Sequence, residues 1–267
     1  ILSIPMTAPP TRDGRKTGFN SLWRLQDDHG AFFGDPVWAK IFTTGSVPIV
    51  DGQPPAGQGS ALGRLINDPT AWYSQLDGRW SGVNVGHGAQ RIEAWGCLLT
   101  CMAMTLTAWG VRLNPQELNT RLLLEGENGF VGSNVQFIAP TKVLTGLNQG
   151  VNLRSFEDSN IPDTQWTGEN PIARIDNALA AGYIVLAQVD VKPNNGLFDS
   201  NIEQHWVIIV QRTPLGDDYL ILDPVVAADQ VRDQPRSLML KYGNRIAGQT
   251  NEENLRQAIK STLVYWM

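Results

Sequence analysis

The chain has 267 residues, enough for one large domain or for a domain with an extension, and 42% hydrophobic content suffices for a buried core. A formal net charge of −5 with no basic run argues against nucleic acid or an anionic membrane surface as the main partner. No apolar run reaches the roughly 18 residues of a spanning helix, so no membrane span is expected.

From Ile1 no charged segment followed by an apolar one appears, so no signal peptide is expected and the sequence reads as a processed or trimmed piece of a longer product. A secreted or cell-surface-associated location is the one favoured. Residues 1–60 are rich in glycine, proline and short polar residues and read as an N-terminal extension or small accessory segment with a linker. The main domain is expected over 61–267. Within the extension, Phe19–His29 is expected to form a short helix, and Gly45–Gly59 to be the linker.

The character changes near Asp68. Ala71–Trp80 is dense in aromatic residues, and Gly82–Gly88 is a glycine-spaced loop. Gly96-Cys97 then opens a helical run with Leu98, Cys101, Met102, Thr105, Leu106 and Trp109 on an apolar stripe, stopped by Gly110. Asn114, Pro115 and Glu117 signal the start of the next helix, with Leu118, Leu122 and Leu123 on its buried face. Asn134–Leu144 reads as a further short helix and Val151–Phe156 as a strand.

Asn170-Pro171 opens a helix that Gly182 ends, and Tyr183–Val189 is a strand apolar on both faces. A polar loop, Lys192–Gln204, leads into two strands, His205–Gln211 and Tyr219–Asp223, joined by a turn over Arg212–Asp218 as a β-hairpin. Thr250-Asn-Glu-Glu253 is a capping-box pattern for a last helix bearing Leu255, Ile259 and Leu263. Helices first, then strands, predict an α+β domain whose helical half packs on an antiparallel sheet.

Two features bear on chemistry. A thiol at the first turn of a helix lies at the positive end of the dipole, beside unpaired N–H groups, where the nucleophilic thiolate is favoured. Cys97 has that position. Cys101 lies one turn deeper along the stripe and reads as a buried small hydrophobe. At i and i+4 the two sulfurs are poorly placed for a disulfide, and with only three histidines they make a poor zinc site.

The second feature is the hairpin. If its turn centres near Pro214 and Leu215, paired positions sum to about 428–430, and His205 falls opposite Asp223 or within two residues of it. A carboxylate there fixes the imidazole tautomer and favours imidazolium. Cys97, His205 and Asp223 then form a nucleophile, base and orienter. A side-chain amide near the nucleophile would complete an oxyanion site, but residue chemistry alone does not choose Gln75 over Gln90. His29 and His87 read as exposed loop histidines, and the acidic residues Glu125, Glu127, Asp27 and Asp28 as solvated surface.

Tyr73-Ser-Gln75-Leu-Asp77-Gly-Arg-Trp80, Gly96-Cys97 followed by Ala103-Met104, His205-Trp-Val-Ile-Ile-Val and Leu222-Asp223-Pro224 together resemble the C39-like cysteine peptidases. The resemblance covers about residues 70–230 and implies a papain-like fold. It also implies a Cys97–His205–Asp223 triad with Gln75 in the oxyanion hole, a peptide or protein substrate, and no metal or organic cofactor. Leu98 and Leu99 stand where the family carries glycine and proline, so access to the helix start is the property to inspect. Two other readings use the same residues. One is acyl or peptidyl transfer on the same triad. The other is a non-catalytic binding or structural module, which requires Cys97 to be shielded by Leu98, Leu99 or the extension.

Overall fold

A computed structural model describes residues 17–26, 32–43, 60–149, 171–193 and 203–267. The chain divides into two units, residues 1–53 and 54–267. The smaller carries strands β1 (Thr17–Gln26) and β2 (Phe32–Thr43), which pair antiparallel from Thr17↔Thr43 to Gln26↔Phe32 with a register shift between Trp23 and Leu25. The helix expected over Phe19–His29 is therefore a strand over Thr17–Gln26. Its Phe, Trp and Leu residues tolerate either state. What decides is a second strand supplying ladder partners, which a single segment does not reveal.

The larger unit begins with α1 (Ala61–Asn67), capped by Ser60, whose side chain accepts from Gly63 N at 3.0 Å. After a 3₁₀ turn at Pro69–Ala71 come α2 (Ile92–Trp95), α3 (Cys97–Ala108) and α4 (Pro115–Leu123). Every residue of α3 from Leu98 to Ala108 is buried, so the expected apolar stripe is a helix enclosed on all sides. Two of its buried threonines are satisfied locally: Thr105 and Thr107 donate to the carbonyls of Cys101 and Ala103, both at 2.9 Å. Gly110, at φ 90°, ends it as expected: Gly110 N bonds Thr107 O at 3.0 Å and Val111 N bonds Leu106 O at 2.9 Å. The reciprocal cap on α4 forms, with Asn114 Oδ1 accepting from Glu117 N at 2.9 Å and Glu117 Oε2 accepting from Asn114 N at 2.8 Å.

β3 (Phe130–Val131) and β4 (Asn134–Val135) form a small hairpin turned by Gly132 at φ 64°, and α5 occupies Ala139–Val143. The helix expected over Asn134–Leu144 is thus shorter at its start. Pro140 fits only a first turn, because in a helix interior it lacks the N–H and clashes with the preceding carbonyl. The strand expected over Val151–Phe156 lies outside the described residues.

After β5 (Asn148–Gln149) and α6 (Pro171–Ala180) comes β6 (Ile184–Asp190), buried at all seven positions. Then follow β7 (Gln204–Arg212), β8 (Tyr219–Leu222), β9 (Arg236–Ser237), α7 (Leu238–Tyr242), α8 (Asn251–Ala258) and β10 (Ile259–Trp266). The six strands form one antiparallel sheet in the order β5-β10-β6-β7-β8-β9. The protein is of the α+β class, with α3 packed on β7 near the middle of the sheet and α6 against β6 and β7.

The Thr250–Glu253 capping box forms, but its helix stops at Ala258, and Ile259 and Leu263 belong to a strand. Positions four apart share a face in a helix and equally in a strand, so the Leu255–Ile259–Leu263 spacing fits both. The β-branched and aromatic run Ile259, Thr262, Val264, Tyr265 and Trp266 suits the pleat, and ladders to β5 and β6 hold it there.

Candidate active site

Helix α2 runs into α3 through Gly96. A Cβ at that position would lie 2.5 Å from the Ile92 carbonyl oxygen, so only glycine permits so abrupt a restart. No side chain caps α3, which leaves first-turn N–H groups, that of Cys97 among them, without partners inside the helix. Cys97 is partly exposed. Leu98 and Leu99 are turned inward, at 7% and 0% exposure, so these bulky residues do not cover the thiol.

The depth at which α3 crosses β7 is set one turn further on. The Cys101 thiol donates to the Trp206 carbonyl at 3.4 Å. Stepping back one turn along α3 and one residue along β7 arrives at Cys97 and His205, and the thiol is close enough to act on the ring electrostatically. Cys101 is fully buried. Burial pushes its thiol up, and the charges of Cys97 and Asp223 add to the rise, which suits an inert packing sulfur.

His205 enters near the start of β7, paired with Val189 of β6. Asp223 stands just past β8. Ladder pairs Ile208↔Leu222 and Ile209↔Ile221 define the hairpin register before a one-residue shift toward the turn. Asp223 therefore falls level with Val207, two residues from His205 on the same face, within the expected range. His205 Nε2 meets Asp223 Oδ1 at 2.8 Å, with the two side chains 4% and 0% exposed. Nε2 being taken by the carboxylate, Nδ1 is the nitrogen left for Cys97.

Asp223 is held on every side. Oδ1 also accepts from Val225 N at 2.9 Å, and Oδ2 accepts from Tyr242 Oη at 2.8 Å and from Lys241 Nζ. The Asp223 N–H donates to the Gln234 side-chain oxygen. Burial would raise this carboxyl, but the hydrogen bonds and charges of His205 and Lys241 outweigh it and hold the group well below the usual carboxylate range. For His205 burial works downward, and the hydrogen bond to Asp223, with the nearby Cys97 and the Asp223 charge, reverses it and takes the ring from 6.5 to about 9.

Gln75 is fixed from two directions. Its backbone N–H donates to Pro224 O at 2.9 Å, and its side-chain Nε2 donates to Glu93 O at 2.8 Å, four residues before Cys97. The loop bearing it is pinned in turn, with Trp80 Nε1 on Ser74 O at 2.8 Å and Ser74 Oγ on Val226 O. Gln75 thus ties the Asp223-Pro224 corner to the approach to Cys97. A primary amide has two N–H groups, so one remains to donate. Gln90, the alternative, is exposed.

His87 is exposed, and Glu125 pairs with Arg121 at 2.7 Å, as surface groups do; Asp27, Asp28 and His29 lie outside the described residues. Among the described residues no cluster of three or more His, Cys, Asp or Glu side chains could hold a metal ion, and no helix is long and apolar enough to cross a membrane. Lys241, Tyr242 and Gln234 were not evident from the sequence. They follow Asp223 by 11 to 19 residues with no spacing rule; the segment before β9 brings Gln234 to the hairpin end, and α7 brings Lys241 and Tyr242. No protein-family model and no curated protein matches the chain.

Proposed function

We propose that the protein is a cysteine peptidase or related thiol hydrolase of papain-like fold, acting through Cys97, His205 and Asp223 with Gln75 at the oxyanion. The observation that carries this reading is a buried imidazole bonded through one nitrogen to a carboxylate, with a partly exposed thiol at a helix start close enough to act on the ring. The binding-module alternative needs a shielded Cys97, and the inward turn of Leu98 and Leu99 counts against it.

The reaction starts from a Cys97 thiolate beside a His205 imidazolium. The sulfur lone pair forms a bond to the carbonyl carbon, and the carbonyl π pair moves onto oxygen. That oxyanion is met by the Cys97 N–H and the free N–H of Gln75. As the oxyanion collapses, the C–N bond breaks and Nδ1–H gives its proton to the departing amine, leaving a thioester and neutral imidazole. His205 then removes a proton from water as its oxygen attacks. The C–S bond breaks, the acid leaves, and thiolate and imidazolium are restored. Asp223 holds the ring in the Nε2–H tautomer throughout. An amine in place of water would make the same steps a transfer.

The test is cleavage of a diverse peptide library. Wild-type protein is expected to give defined products with water-derived carboxylates, and Cys97→Ala to lose them while keeping its circular dichroism spectrum. Undiminished cleavage by the folded Cys97→Ala variant would refute the assignment.

A further inference from the structure

The Asp223 carboxylate has about four lone-pair positions, and four donors occupy them: His205 and Val225 N on Oδ1, Lys241 and Tyr242 on Oδ2. Two of the four donors, the Lys241 ammonium and the His205 ring, compete as cations for one negative charge. Tyr242 is buried, its ring 5.4 Å from the His205 ring, and burial together with Asp223 keeps its hydroxyl protonated and donating. Lys241 reaches in from a side chain 34% exposed and also donates to Val225 O at 3.2 Å. Both come from α7, which ends at Tyr242. Among the described residues, the other titratable groups facing the pair are Cys97 and Cys101 of α3.

We propose that Lys241 and Tyr242 are positioning residues that clamp Asp223 Oδ2, so that Oδ1 alone serves His205, and that the Lys241 charge limits how tightly the carboxylate retains the proton on the ring. The consequence for turnover rests on the thiol-hydrolase reading; the clamp itself does not. A carboxylate with one oxygen pinned by two donors cannot rotate away when the ring loses its proton, so the imidazole keeps its Nε2–H orientation in both charge states. With the ammonium removed, the same carboxylate faces a single cation and holds the imidazolium more strongly.

The experiment is a ¹⁵N ring titration of His205 by NMR in the full chain, with His29→Asn and His87→Asn leaving a single histidine. Lys241→Met is expected to raise the ring's proton affinity roughly tenfold, by the usual effect of one nearby charge. Tyr242→Phe, which keeps the ring packing, should raise it by less, and Lys241→Arg should restore the wild-type midpoint. In the Lys241→Met/Tyr242→Phe double variant the neutral ring should lose its Nε2–H signature. A midpoint that stays put or falls in Lys241→Met, with the fold intact, would overturn the proposal. The ring signals are read without turnover. An inactive protein with the shifted midpoint would therefore sink the hydrolase reading alone, and an active one with an unmoved midpoint would sink the clamp alone.

Discussion

Two buried aspartates flank β8, and their surroundings drive them apart. At the turn end, Asp218 accepts from Tyr219 N at 2.7 Å, Met239 N at 2.9 Å and the Ser237 hydroxyl. These are neutral donors, and burial, with Asp217 adding its charge, pushes the Asp218 carboxyl up. At the other end Asp223 is more buried still, yet His205 and Lys241 hold it well below the usual range. Two ends of one strand, the same residue type, opposite shifts: bonded cations and not burial decide which way each carboxyl moves. The Asp218 end is closed by its own turn, with Thr213 Oγ1 on Asp217 Oδ1 at 2.9 Å and Gly216 at φ 67°. The Asp223 end opens toward a partly exposed sulfur. The hairpin is thus closed at one end and carries the His205–Asp223 pair at the other.

That contrast can be broken in order of severity. His205→Asn should remove at least a thousandfold of any peptide turnover, since a thiol hydrolase loses both its base and its acid. Asp223→Asn should cost a hundredfold or more in rate, and about 3 kcal/mol in stability by urea denaturation, because it strands the buried His205 ring without its countercharge. Asp218→Asn, where the three donors to the carboxylate are neutral, should leave the rate within about twofold and stability within about 1 kcal/mol. Equal losses at the two aspartates would erase the distinction.

The same contrast has a pH signature. His205 is raised from 6.5 to about 9, so its share of stability is complete below 6.5 and lost as pH climbs through about 9. Asp223 is held below 3.8, so its share is present above 3.8 and lost in stronger acid. The two describe one pair and count once. Thermal unfolding of the wild type should show a loss on the order of 3 kcal/mol between pH 6.5 and 9, absent in Asp223→Asn. Cys101→Ala should be the mildest change, about 1 kcal/mol from the lost sulfur packing and no change in rate.

Much of the site was legible because its elements are local. The helix start at Gly96-Cys97, the hairpin that joins His205 to Asp223, and the reciprocal caps at Asn114 and Thr250 all lie within short windows whose chemistry is self-contained. Gln75 was legible only through resemblance, since its link to Pro224 spans the domain. The failures share a cause. Phe19–His29 and Ile259–Leu263 carry residues that fit helix or strand, and ladder partners outside each segment settle the choice. Lys241 and Tyr242 stayed invisible for the same reason: α7 reaches Asp223 only after the chain has folded back.

The central claim is that His205 activates Cys97. The direct measurement is the rate of iodoacetamide labelling at pH 6, mapped by mass spectrometry, in the wild type and in His205→Ala. The account predicts that Cys97 labels readily in the wild type, that Cys101 does not, and that His205→Ala slows Cys97 at least tenfold. Equal Cys97 rates in the two proteins would contradict it.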